Sequence, residues 1–283
     1  MRLVLLLAAL LGATPAWADT RLKVVATFSI LADLVREVGG DAVEVTTLVG
    51  PDSDTHTYQP RPTDARTLAV AKVLVSNGLG FEGWIDRLAE ASGFKGTRIV
   101  ASAGTPAEAD PHCWQDVACT RRYIANIAQG LATADPGNAA AYAARAAQYD
   151  RRLVALDDWI RHEIAGVPAD RRQAITGHSS FRYFARAYDV RFSAPRGYST
   201  DSEPTARDVA NLIRQVREQK VKAVFVENMT NPAMVAEIAR DSGAVVGPRL
   251  YSDALSKPDG PAPTYEAMMR YNVTALVAGM QKN

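Results

Sequence analysis

Histidine and cysteine are scarce in this chain: four histidines and two cysteines among 283 residues. The cysteines stand at 113 and 119. Neither follows the export-signal cleavage site described below, so the anchoring cysteine of a bacterial lipoprotein is not expected. Neither sign of charge is in excess, with 32 basic and 31 acidic side chains. Nothing therefore points to nucleic acid or to an anionic membrane surface as a partner. Beyond the first residues no apolar run approaches the about 20 residues of a membrane span. Low-complexity tracts and short-period repeats are missing, as are the G-x-S-x-G and H-E-x-x-H signatures of hydrolases.

What is present begins with an address. Arg2, the apolar run Leu3 to Leu11, and Ala16-Trp17-Ala18 follow the order of a cleavable export signal. Residues 1–18 are read as that signal, and the mature chain as Asp19 to Asn283. An exported chain with two nearby cysteines can form one disulfide, Cys113 to Cys119, in an oxidising compartment.

The remainder alternates. Val-rich strand signals at Leu22 to Thr27, Val43 to Val49, Val73 to Ser76 and Arg98 to Ala101 are separated by helical patterns, the first stopped at Gly39-Gly40. This rhythm predicts an α/β fold with a mostly parallel sheet. From Thr120 to about Ile164 no strand signal occurs. Asp135-Pro136 reads as an N-cap and first-turn proline. Tyr142, Ala146, Tyr149, Leu153, Leu156 and Ile160 keep helical spacing on one face. The α/β rhythm then returns, with strand signals near 174–176, 190–192, 223–226 and 244–246. The expectation is two parallel-sheet α/β lobes, 19–135 and 166–283, joined by a long helix over 136–165.

Three histidines stand in polar loops after strand-like runs, where α/β folds place ligands. They are His56 in Asp54-Thr55-His56-Thr57-Tyr58-Gln59-Pro60, His112 in Asp110-Pro111-His112-Cys113-Trp114, and His178 in Thr176-Gly177-His178-Ser179-Ser180-Phe181. His162, on the long helix beside Arg161 and Glu163, reads as a solvated surface residue. Asp253, in Leu250-Tyr251-Ser252-Asp253-Ala254-Leu255, supplies a carboxylate after another strand signal. Three imidazoles and one carboxylate suit tetrahedral Zn2+, one ion per chain.

These segments resemble the metal-specific solute-binding proteins of bacterial ABC importers, the cluster A-I (zinc/manganese) group. Further marks are Val24-Val25-Ala26-Thr27-Phe28-Ser29, Asn77-Gly78-Leu79-Gly80-Phe81-Glu82, Phe181-Arg182-Tyr183-Phe184 and Glu203-Pro204-Thr205, in order from about Leu22 to the C-terminus. The resemblance implies two lobes bridged by a long rigid linker helix with the metal site in the cleft between them, and a zinc-type member with His56, His112, His178 and Asp253 as ligands, in a periplasmic, non-enzymatic carrier. It implies a membrane ABC permease as partner, leaves a periplasmic metallochaperone open as a second one, and fits a monomer. Manganese members often carry a carboxylate at the third ligand position. Three departures stand out: Ala103 to Asp110 is short and lacks the His-rich loop of many zinc members, Trp114 is followed by Gln115-Asp116-Val117, and Cys113 sits beside His112, where a reduced thiolate competes for zinc and a bond to Cys119 stiffens the ligand loop.

Other readings are kept beside this one. The same cleft can serve an Mn2+ or Fe2+ carrier, although harder metals favour more carboxylate oxygens. It can also serve a secreted zinc hydrolase, with Glu227 or Glu203 as base. Glu227 is otherwise a helix-cap or ion-pair residue, or an acceptor behind a ligand histidine; Glu203 is read as helix N-terminal chemistry. Gly78-Leu79-Gly80-Phe81-Glu82-Gly83 matches a dinucleotide fingerprint, but the next strand lacks the required acid, so the glycines read as a tight turn. Trp114, Phe181 and Tyr183 read as packing residues.

Overall fold

The computed structural model describes residues 21–105 and 109–283. The expected export signal lies outside these residues, as does part of the Ala103–Asp110 segment. In order the chain forms β1 (Leu22–Phe28), α1 (Ser29–Gly39), β2 (Val43–Val49), α2 (Pro62–Ala69), β3 (Val73–Ser76), α3 (Ile85–Ala91), β4 (Thr97–Val100), α4 (Val117–Ala134) and α5 (Ala139–Ala165). It continues with β5 (Gln173–Ile175), α6 (Arg182–Tyr188), β6 (Arg191–Ser193), α7 (Ala206–Glu218), β7 (Ala223–Val224), α8 (Ala233–Ser242), β8 (Val245–Val246) and α9 (Tyr265–Met280).

Two four-stranded parallel sheets result, ordered β2-β1-β3-β4 and β6-β5-β7-β8. This is the expected fold, and the two sheets repeat one topology without obvious sequence similarity. β1 is central in the first sheet, and its Val24 to Phe28 stretch is buried throughout. A strand covered on both faces reads as continuous apolar sequence, which is why the run is legible. α1 turns Ile30, Leu31, Leu34, Val35 and Val38 into the core at helical spacing. Gly40 ends it at φ 54°, a left-handed conformation that glycine adopts without strain.

The long helix differs from expectation at its start. Asp135 closes α4, and its side chain caps no backbone amide; its carboxylate accepts from Asn138 Nδ2 and Tyr142 Oη, 2.7 Å each. Pro136–Asn138 forms a separate 3-10 turn, and α5 begins at Ala139. Gly137 and Asn138 are weak helix formers, and the tighter turn absorbs them. From there the 27 residues of α5 extend about 40 Å. Its buried stripe contains every residue expected on it, plus Ile164. α5 packs on α1 and α4, which precede it in the chain, and on α6 and α9, which follow it. One apolar core therefore runs from the first sheet through α5 to α9; a smaller core lies outside the second sheet, under α7 and α8.

Among the described residues no helix is long and apolar enough to cross a membrane. Gly78 and Gly80 adopt φ of 85° and 77° in the turn between β3 and α3, the role expected of them. His162 is exposed, and Trp114, Phe181 and Tyr183 are buried, also as expected.

Candidate metal centre

His56 follows β2, His112 follows β4, His178 follows β5 and Asp253 follows β8. All four sit beyond the carboxyl ends of parallel strands, two per sheet. The fold brings them together: one ligand atom from each lies within 4.8 Å of the others. His112, His178 and Asp253 are fully buried, and His56 is partly exposed. His112 Nε2 lies 3.4 Å from both His56 Nε2 and His178 Nε2. Asp253 Oδ2 lies 3.4 Å from His56 Nε2 and 3.1 Å from His178 Nε2, and Oδ1 lies 3.5 Å from His112 Nε2. A tetrahedron drawn around an ion with bonds of about 2.0–2.1 Å has edges of about 3.3–3.4 Å. The spacing is that of ligands around one small cation. The facing histidine rings are the only groups among the described residues that approach the oxygens of Asp253; no other donor reaches them. A buried carboxylate so bare needs a cation, by proton or metal.

The local sequence explains how the rings are aimed. Asp54 and Asp110 each stand two residues before a histidine, and each Oδ1 accepts that histidine's backbone N–H, at 2.9 and 3.0 Å. This is the turn that Asp favours over its own following residues. Asp110 Oδ1 also lies 2.7 Å from His112 Nδ1. In the neutral ring a carboxylate there keeps the proton on Nδ1 and leaves the Nε2 lone pair facing the site.

His178 is aimed differently. Glu227, fully buried after β7, places Oε1 2.8 Å from His178 Nδ1. Its Oε2 accepts from the backbone N–H of Gly177 and His178 at 2.8 and 3.0 Å, and Oε1 from Ser180 Oγ at 2.8 Å. A Cβ on Gly177 would fall 2.8 Å from Glu227 Oε2, so only glycine lets the carboxylate approach. Of the two roles open to Glu227, the structure shows the acceptor behind a ligand-position histidine, not the helix cap. Glu203 is corrected as well. It is exposed and pairs with Arg196, while Thr205 and Asp208 form the capping box of α7. Glu227, with both oxygens engaged, is not placed to act as a base on a water.

Burial disfavours an imidazolium at His112 and His178, but Asp253, joined by Asp110 and Glu227 respectively, outweighs it. His112 is raised above the ordinary histidine value and His178 well above it. Burial likewise opposes charge on Glu227 and Asp253, and the facing histidines overcome it, lowering the former and holding the latter well below the carboxylate range. These directions favour protonated rings facing ionised carboxylates in the metal-free state.

Cys113 and Cys119 form a disulfide with Cα atoms 5.8 Å apart. It ties the residue after His112 to α4 and removes the thiolate that would compete for metal. The altered segment after Trp114 still makes a turn: Asp116 N-caps α4 through Ala118 N–H. Trp114 Nε1 and Gln115 Nε2 both donate to Ser252 O, 2.8 Å each. A cavity of about 750 Å3 lies along β6 and α6, but it contains none of the four site residues.

The profile of the zinc-uptake complex component A, periplasmic, family (ZnuA) matches residues 24–279. The manganese-binding lipoprotein MntA of Bacillus subtilis is 33% identical over 279 residues, covering 93% of this chain and 91% of that one. The iron-binding protein YfeA of Yersinia pestis is 28% identical, covering 96% and 90%. Among solved structures, the periplasmic zinc-binding protein TroA from Treponema pallidum superposes with a TM-score of 0.88 at 28% identity, covering 92% and 99%. A manganese-bound periplasmic metal-binding protein from Candidatus Liberibacter asiaticus reaches 0.82 at 28% identity, covering 92% and 100%. Several relatives are lipoproteins by name. That conflicts with the expectation of an unanchored chain, and nothing in the described residues restores it. With the profile spanning nearly the whole chain, on two lobes of the same architecture, this chain belongs to the ZnuA family of periplasmic zinc-uptake complex components.

Proposed function

We propose that this protein captures Zn2+ in the periplasm and delivers it to a membrane ABC permease. Residues 19–135 and 166–283 act as the two lobes, and 136–165 as the strut between them. The carrying observation is the set of three imidazoles and one carboxylate, three of the four residues fully buried, at tetrahedral spacing with no other donor on the carboxylate. His56, His112, His178 and Asp253 hold the ion. Asp110 and Glu227 keep two rings oriented and balance the charge. Four protein ligands leave no coordination position that must stay open, which suits capture rather than hydrolysis.

A specific observation favours a second cargo, Mn2+ or Fe2+. Both oxygens of Asp253 face the histidines, Oδ2 toward His56 and His178 and Oδ1 toward His112. Bidentate binding would give a five-ligand mixed site, more acceptable to a harder ion. The names of MntA and YfeA support the same reading.

Metal content of protein purified without added metal, followed by competitive Zn2+/Mn2+ titration of the metal-free form, decides between them. One zinc per chain, retained against excess manganese, is expected. Retention of manganese instead transfers the function to the second cargo, and failure to hold either ion refutes the carrier.

A further inference from the structure

The loop bearing Asp253 belongs to the second lobe by sequence, yet the first lobe holds much of its backbone. Ser252 O, the carbonyl just before Asp253, accepts from Trp114 Nε1 and Gln115 Nε2. Leu255 O accepts from Asp52 N–H at 3.0 Å, and Leu255 N–H donates to Ser29 Oγ at 2.9 Å. Apart from the facing histidine rings, the Asp253 carboxylate receives no hydrogen bond among the described residues. With no other side chain on it, the carboxylate is aimed by its backbone toward those rings. Gln115 is fully buried, and its Oε1 has no partner among the described residues. Keeping a buried amide half-satisfied is unfavourable unless its donor end does something useful. That end donates to Ser252 O.

We infer that Gln115 is a positioning residue for metal binding. It stands three residues after His112 and fixes the peptide before Asp253, so it couples one ligand of the first lobe to one of the second. Trp114 occupies one lone pair of Ser252 O and Gln115 the other, and together they prevent that peptide from rotating. Loss of the Gln115 donor loosens the Asp253 carboxylate while all four ligands remain. The inference rests on the carrier reading, and it applies to zinc or manganese alike.

The test is Gln115→Leu in the full chain, with Gln115→Met as a second volume-conserving variant if Leu does not fold. Zinc release to excess EDTA is followed by stopped flow, and the visible d–d absorption of the Co2+-loaded protein reports ligand geometry. Release is expected to quicken about two- to tenfold, the net worth of one hydrogen bond, with an altered Co2+ spectrum. A purely packing role would change the melting temperature of the metal-free protein and leave both readouts parental. Parental release and a parental spectrum overturn the inference. If the parent protein itself binds no metal, the carrier reading fails instead, and the two failures are distinguishable.

Discussion

The two lobes share a strand order and little else in how they are built. In the first, β1 and β2 run seven residues each and pair from Leu22↔Val43 to Phe28↔Val49. In the second, β5 and β6 have three residues, β7 and β8 two, and β5 meets β7 at the single register pair Ile175↔Val224. The edge strand β8 leaves Val245 61% exposed. Each lobe nevertheless presents two residues to the same point. The first holds its histidines by local means: an Asp two residues upstream of each, and a disulfide beside His112. The second relies on a distant buried carboxylate, Glu227, and on donors borrowed from its neighbour. Precision can thus come from short-range turn chemistry on a firm sheet, or from long-range hydrogen bonding on a slight one.

This contrast makes Glu227 the more exposed target. It organises His178 Nδ1, two backbone amides and Ser180. Asp110 organises only the backbone and ring of His112. Removing a carboxylate behind a ligand histidine costs about 10–100-fold in metal affinity. Glu227→Ala is expected at the upper end, on the order of a hundredfold, and Asp110→Ala nearer tenfold, both by competitive zinc titration. Equal losses would mean that the lobes do not differ in this respect.

Acid acts on the same pairs. His112 and His178 are raised above 6.5 in the metal-free fold. Their protonation therefore stabilises that fold fully below the unfolded value, and this contribution is lost as pH rises through the raised values. The lowered Glu227 and Asp253 contribute in the opposite sense, above their unfolded values, and are lost only as pH falls through the folded ones. Zinc must displace the histidine protons, so its affinity should begin to fall while pH is still above about 6.5, by about tenfold per pH unit for each proton displaced. Ordinary histidines would place that onset near about 6.5. Titrations from about pH 8 downward, in parallel with the melting temperature of the metal-free protein, locate the onset. Affinity flat down to about 6.5 would show that the rings are neutral before metal arrives.

The Cys113–Cys119 bond has a smaller effect. Closing so short a loop stabilises by about 2 kcal/mol through the unfolded chain. Replacing both cysteines by serine should lower the melting temperature by about 5 °C. If the staple also steadies His112, the double variant releases zinc faster than the parent; an unchanged rate at a lowered melting temperature confines the bond to stability.

Much of this is legible without coordinates. β1 and β3 stand out because buried central strands read as nearly unbroken apolar runs, β2 and β4 because Val and Thr or Ile and Val mark them as strands between turns, and the stripe on α5 because successive turns of one helix repeat one spacing. The three candidate histidines stand out because histidine is rare enough for three loop positions to be conspicuous, and Asp253 because it too follows a strand signal. Glu227 is visible only as one possibility among several, since 49 residues separate it from His178 and only the β5–β7 pairing joins them. Asp110 does leave a signal: Asp-x-His occurs at both 54–56 and 110–112. Gln115 leaves none, because its partner is a backbone carbonyl 137 residues away. The false N-cap at Asp135 shows the opposite failure, where a correct local preference loses to Gly137 and Asn138 beside it.

The smallest expected effect separates the two cores. Ile30 lies in the continuous core and Ile238 in the small one under α7 and α8, and both are fully buried. Ile→Val removes the same methyl from each, at about 0.5–1.5 kcal/mol. In the continuous core that loss is shared by both sheets and α5, so Ile30→Val should lower the global melting temperature. In the small core, few contacts connect the site to the rest, and opening there need not unfold the protein. Ile238→Val should therefore speed hydrogen exchange in α7, α8 and β8 while leaving zinc affinity and the main transition near parental values. If it lowers the main transition as much as Ile30→Val and leaves local exchange unchanged, the second lobe melts with the first. Its slight sheet would then draw its stability from α5 and α9 rather than from the strands themselves.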